Sequence, residues 1–265
     1  MHLLYSDETN LNPAVSEFFT YAGVAIPVQF AGQLSAAIDQ LRDQYGYKPE
    51  DLLKFNVKER PAHVTADAHR EIKRRVMEEA ARHGVKLFAS LILHKIATSP
   101  DDARRNEINR VCYHFNCYLH RVDDIGLVLI DTFQDNMLAR LLRQKFSVGL
   151  VGMPYSATLR LDRVLGFHLA SIGSSNFCSV IDIVVGALRY AINARQTQSQ
   201  LQVAQVLFSQ LGPLCVKSAA GRIEEISVFF SPKIIKASSY LKIYQDLHGY
   251  LAQNGLDCIQ QPTGP

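Results

Sequence analysis

Two apolar segments of this chain end on an aspartate, and a third aspartate interrupts an aliphatic run far downstream. The first segment is Leu3-Leu4-Tyr5-Ser6-Asp7, the second Leu127-Val128-Leu129-Ile130-Asp131, and the third Val180-Ile181-Asp182-Ile183-Val184-Val185. A carboxylate beside a core is costly unless it is hydrogen-bonded, paired with a base or bound to a cation. One divalent metal ion shared by all three would remove that cost. Local explanations stand beside it. Asp7 can open a turn with Ser6, Thr9 and Asn10, Asp131 can bond the backbone at Thr132, and Asp182 can pair with Arg189 or Arg163.

Hydrophobic periodicity orders the rest of the chain. Strands are predicted over residues 2–7, 18–26, 85–93, 127–131, 159–169 and 223–230, with a further short one over 52–57. Helical spacing runs from Leu34 to Tyr45, from the cap Thr65 to Gly84, and from about Asp101 through Leu119. It returns over 137–146, from Ser174 or Ser175 to Asn193, and after Pro232 through Leu241 and Leu251. The Gln-rich stretch 196–205 is a linker or an exposed helix start. Strands first, then alternating strands and helices, indicate an α/β fold with a mixed sheet covered by helices.

Alternation along a strand puts Leu3, Tyr5 and Asp7 on one face and Leu127, Leu129 and Asp131 on one face. If the two strands are neighbours, Asp7 and Asp131 converge, and the helix carrying Asp182 brings the third carboxylate to the strand ends. Gly186, one turn beyond Asp182, lets another segment approach that helix closely. Three hard oxygen ligands suit Mg²⁺ or Mn²⁺, and such ions serve phosphodiester cleavage. His168, near a strand end before the Asp182 helix, is a candidate general base, although a lone histidine has many structural uses.

Composition narrows the class. A chain of 265 residues with 48 % hydrophobic content buries a substantial core, and a net charge of +3 neither identifies nor opposes a nucleic-acid partner. The five cysteines lack zinc-site spacing and read as small core residues in a reducing compartment. With no signal-peptide pattern and no long apolar run, a cytoplasmic protein without a membrane partner is expected. The basic runs Lys73-Arg74-Arg75 and Arg104-Arg105, and Arg140 with Arg143 and Lys145, are read first as solvated helix faces and second as phosphate contacts.

The opening Tyr5-Ser6-Asp7-Glu8-Thr9 followed by residues 18–26 resembles the start of the prokaryotic and phage family called domain of unknown function 3800. Leu53-Lys54-Phe55 is similar to a short segment of that family, Ile130-Asp131-Thr132 to its mid-chain strand end, and residues 180–187 to its closing helix. The resemblance spans roughly residues 1–194. Thr9, Asn10 and Ser179-Val180 depart from the family pattern. It implies a ribonuclease-H-like domain over residues 1–195; residues 196–265 lie outside the shared pattern and are expected, from their strand and helix signals, to form a small C-terminal α/β extension packing on it. It further implies a metal-dependent nuclease, in some members encoded near mobile elements or phage-defence genes, with RNA or DNA as partner. Asp7, Asp131 and Asp182 become ligands of Mg²⁺ or Mn²⁺, Glu8 a fourth ligand or general base, and Lys54 a phosphate contact. Two alternatives stand: a non-catalytic module that binds nucleic acid or protein, and a strand-transfer enzyme using the same carboxylates.

Overall fold

The computed structural model describes residues 1–9, 17–97, 99–131, 140, 143–144, 150–153, 156–196 and 200–265. The helix expected over residues 137–146, the Asn10 to Pro13 stretch and Lys145 lie outside or largely outside these residues.

Strands β1 (His2–Thr9) and β2 (Phe18–Pro27) form an antiparallel pair, and β3 (Lys86–Leu93) continues it antiparallel to β2. On the other side of β1 lie β4 (Gly126–Asp131) and then β7 (Val164–Ala170), both parallel to their neighbours, while β8 (Val228–Ser231) runs parallel to β3 at the far edge. The order is β7-β4-β1-β2-β3-β8, a six-stranded mixed sheet in which β2 alone runs against the rest. A separate hairpin pairs β5 (Leu150–Met153) with β6 (Ser156–Leu159).

The helices follow from the same pattern. Pro27 ends β2 and stands at the start of α1 (Val28–Gln44), where its missing N–H costs nothing. Thr65 caps α2 (Ala66–Arg82), its Oγ1 accepting the Ala68 N–H at 3.1 Å. The others are α3 (Pro100–Arg121), α4 (Asn176–Asn193), α5 (Leu201–Leu211) and α6 (Ser238–Gln253).

Each face of the sheet has its own apolar layer. On one, Leu4, Tyr21, Phe88, Val128 and Ile130 pack under α3 through Val111, Phe115 and Leu119. On the other, Tyr5, Val24, Leu87 and Leu91 pack under the remaining helices, with α4 at the centre. This second face carries Asp7 and Asp131. The residues after 195 belong to this layer as well as to the sheet, because Phe208, Phe230, Tyr244 and Leu251 are fully or almost fully buried in it. The Tyr244 hydroxyl accepts the Leu93 N–H at 2.8 Å and donates to the Ser231 carbonyl, tying α6 to β3 and β8. Tyr244→Phe leaves both buried backbone groups short of a partner, and chemical denaturation should register a loss of about 1–3 kcal/mol.

Three expected strands differ. Residues 52–57 are irregular, because their backbone bonds to side chains of α2 and α4 in place of a ladder. The stretch 159–169 breaks at residues 160–163 into β6 and β7. The stretch 223–230 turns first, with Ser227 and Val228 N–H groups bonding back to the Glu224 carbonyl at 2.9 and 3.2 Å, so that only β8 joins the sheet. All five cysteines are free thiols. Among the described residues no helix is long and apolar enough to cross a membrane.

Candidate carboxylate site

The parallel register of β1 and β4 sets Leu3 beside Leu127 and Tyr5 beside Leu129, so one step of two brings Asp7 level with Asp131 at the strand ends. Helix α4 crosses above them and adds Asp182. All three carboxylates, together with Lys54, line a cavity of about 80 Å³ whose floor is Tyr5 and Leu129 and whose wall includes Ile172, Cys178 and Ile181. That is room for several waters or a hydrated small cation.

The electrostatics report crowding of like charge. Burial first, then the neighbouring Asp131 and Glu8, push the Asp7 carboxyl from its ordinary 3.8 up to about 8, although its Oδ1 accepts the Glu8 N–H at 2.7 Å. Burial also raises Asp182, against the lowering effect of the Phe55 N–H that its Oδ2 accepts at 2.5 Å. The local partners considered for Asp182 are engaged otherwise or absent. Arg163 holds Asp123 at 3.0 Å. Arg189 is near enough to lower Asp182 electrostatically but forms no ion pair with it among the described residues.

Lys54 stands at the mouth, its Nζ 2.6 Å from Glu59 Oε2. The hydrogen bond to Glu59 chiefly raises its pKa, with Asp182 and Asp131 adding to the effect. What places it is the segment's attachment to α4. A side chain at Gly186 would meet the Phe55 ring at 2.4 Å, so the absent Cβ is what lets Phe55 lie on the helix and present its N–H to Asp182. The Phe55 carbonyl is taken by Lys73 Nζ at 2.8 Å, with the ammonium 4.2 Å from the Phe55 ring centroid. Gly186→Ala forces that segment away and is expected to cost about 1–3 kcal/mol of stability in urea unfolding. The same variant should weaken any cation binding at the carboxylates, and unchanged stability would sink this account.

Two further residues sit elsewhere. Glu8 alternates to the opposite face of β1, where it pairs with Arg104 at 3.1 Å with both side chains 9 % exposed, outside the cavity lining. His168 is opposite Leu129 in the β4–β7 pairing, on the carboxylate face but exposed and outside the cavity lining. Of the basic runs, Arg74 and Arg75 pair with Glu71 and Glu78 on the outer face of α2, whereas Arg104 is buried against Glu8. Sequence patterns carried no signal for Glu59 or for the Phe55 N–H, since both meet the site through an irregular loop.

Compared with protein-family models, curated proteins and solved structures, the chain matches none. Among the described residues no three His, Cys, Asp or Glu side chains already stand in a ligating arrangement. The donor set nevertheless suits a hard divalent cation: three carboxylates around one small cavity, one of them held largely protonated at neutral pH by its neighbours and its burial. Asp7 Oδ1 accepts the Glu8 N–H and Asp182 Oδ2 the Phe55 N–H, and each carboxylate has a second oxygen with which to meet a cation.

Proposed function

We propose that this chain is a metal-dependent nuclease of ribonuclease-H-like type, similar to the domain of unknown function 3800 family, which hydrolyses phosphodiester bonds of RNA or DNA. The observation that carries the reading is the convergence of Asp7, Asp131 and Asp182 on one cavity at the ends of two adjacent parallel strands. A mixed sheet flanked by helices on both faces agrees with that fold type.

Asp7, Asp131 and Asp182 would hold Mg²⁺ or Mn²⁺, which when bound neutralises phosphate charge and makes water a better nucleophile. The chain's own residues do the rest. Lys54 offers its ammonium to a phosphate oxygen at the mouth of the cavity. The Phe55 N–H and the Gly186 contact hold Asp182 in place. Tyr5, Leu129 and Ile181 make part of the cavity lining apolar, which strengthens the charge interactions beside it. His168, on the same face one strand outward, is the candidate to take up a proton. A cytoplasmic setting agrees with the five free thiols, and a role near mobile elements or phage defence follows from the family resemblance alone.

A second reading, a binding module that keeps the fold without catalysis, uses Asp7 and Asp182 as acceptors of the Glu8 and Phe55 N–H groups alone. Calorimetric titration with Mn²⁺, followed by cleavage assays on labelled single-stranded, double-stranded and hybrid substrates, separates them. Mn²⁺ uptake with cleavage supports the nuclease, and a folded protein that takes up no Mn²⁺ removes it.

A further inference from the structure

A groove of about 540 Å³ opens beside the carboxylate cavity, between α2, α4 and α5. Its surface is apolar, contributed by Phe55, Val57, Met77, Tyr190, Val206 and Leu207. Val203 and Val206 on α5 are 49 % and 53 % exposed, which no packing requirement within the described chain explains. Its rim carries Arg70, Lys73, Arg74 and Arg189 beside Glu71; Arg70 is paired with Asp67 and Arg74 with Glu71 and Glu78, which leaves Lys73 and Arg189 as the rim cations outside ion pairs among the described residues.

The groove and the cavity have no lining residue in common but are linked through Phe55, which follows Lys54 of the cavity in the chain. Phe55 gives its backbone N–H to Asp182 on one side and its ring to the groove on the other, 6.4 Å from the Tyr190 ring between centroids. Arg189 lies between the two, close enough to act electrostatically on both Asp182 and Glu59, and among the described residues it forms no ion pair. The opposite flank of the site is different in kind. There a hollow of about 750 Å³ is lined by Asp39, Asp43, Glu50 and Asp51 with Arg42 among them, a predominantly acidic surface that disfavours a polyanion.

We propose that this groove is a nucleobase site: it receives an unpaired base next to the phosphate held at the carboxylates, which makes single-stranded nucleic acid the substrate class. The proposal rests on the nuclease reading for the identity of the neighbouring phosphate. A base has an apolar face that fits the Tyr190, Val206 and Leu207 surface, and the charge of the adjoining backbone is met by Lys73 and Arg189. A duplex hides those faces in its stack and cannot present one to a groove of this depth. Arg189 is the positioning contact for the phosphate between the base and the carboxylates.

The test is fluorescence anisotropy of a labelled ten-nucleotide single strand and of its duplex, in Ca²⁺, with wild type, Val206→Glu, Val206→Thr and Arg189→Ala. Circular dichroism checks that each variant is folded. Loss of one stacked base corresponds to about tenfold or more in affinity. Val206→Glu and Arg189→Ala should therefore weaken single-strand binding by that factor, Val206→Thr should stay near wild type, and the duplex should bind less tightly than the single strand. Unchanged affinity in Val206→Glu, or a duplex bound as tightly as the single strand, overturns the proposal and leaves the groove to a protein partner. Mn²⁺ calorimetry on the same proteins keeps the two readings apart. Wild type that takes up no Mn²⁺ while Val206→Glu still loses the single strand removes the nuclease and keeps the base site; Mn²⁺ uptake and cleavage with an indifferent Val206→Glu removes the base site alone.

Discussion

Asp182→Asn should abolish Mn²⁺-dependent cleavage, by about 100-fold or more, while leaving the fold intact. The fold survives because an amide oxygen can accept the Phe55 N–H as the carboxylate does, so the loop bearing Lys54 stays on α4. The chemistry does not survive, because a neutral amide is a poor ligand for a hard cation and removes one of three negative charges. Parallel measurements of cleavage, Mn²⁺ binding heat and urea midpoint distinguish loss of chemistry from loss of structure. A folded Asp182→Asn protein with wild-type cleavage would show that Asp182 is a structural acceptor for Phe55 and nothing more.

The metal-free protein should lose stability as pH rises from about 4 to about 8, and Asp7→Asn should remove much of that dependence. In the folded state Asp7 holds its proton up to about 8, whereas an ordinary aspartate releases it near 3.8. Between these values the folded form binds more protons than the unfolded one, so stability falls with rising pH. The contribution is complete below the lower value and gone above the higher. At about 1.4 kcal/mol per unit, a shift of this size is worth several kcal/mol. Urea unfolding in EDTA at pH 5 and pH 8 checks it: at pH 8 Asp7→Asn should be the more stable protein by several kcal/mol, and at pH 5 the gap should be much smaller. Mn²⁺ should stabilise wild type most at pH 8, since binding there displaces the proton with least effort. An Asp7→Asn protein no more stable than wild type at pH 8 would mean that Asp7 is solvated and uncrowded.

The carboxylates were legible because strand alternation is a local rule. Tyr5 and Asp7 share a face wherever β1 lies, as do Leu129 and Asp131, and the same rule sends Glu8 to the α3 side. The failed strand at residues 52–57 marks the limit. Its composition suits a ladder, but the Phe55 N–H and C=O find Asp182 and Lys73 instead, partners that lie 127 and 18 residues away in the chain. The strand expected over 223–230 was shortened by a turn at Glu224, whose acceptor role no periodicity encodes.

Local chemistry in the chain thus determined which residues face inward, where helix α2 begins, and that Asp7, Asp131 and Asp182 each need a partner. Only the tertiary structure decided that these three share one cavity, that Lys54 stands at its mouth, and that an apolar groove with Arg189 at its edge lies nearby. The reason is physical: periodicity reports the direction of a side chain relative to its own backbone, whereas convergence depends on strand order, register and the close contact at Gly186, which are settled by packing between segments far apart in sequence.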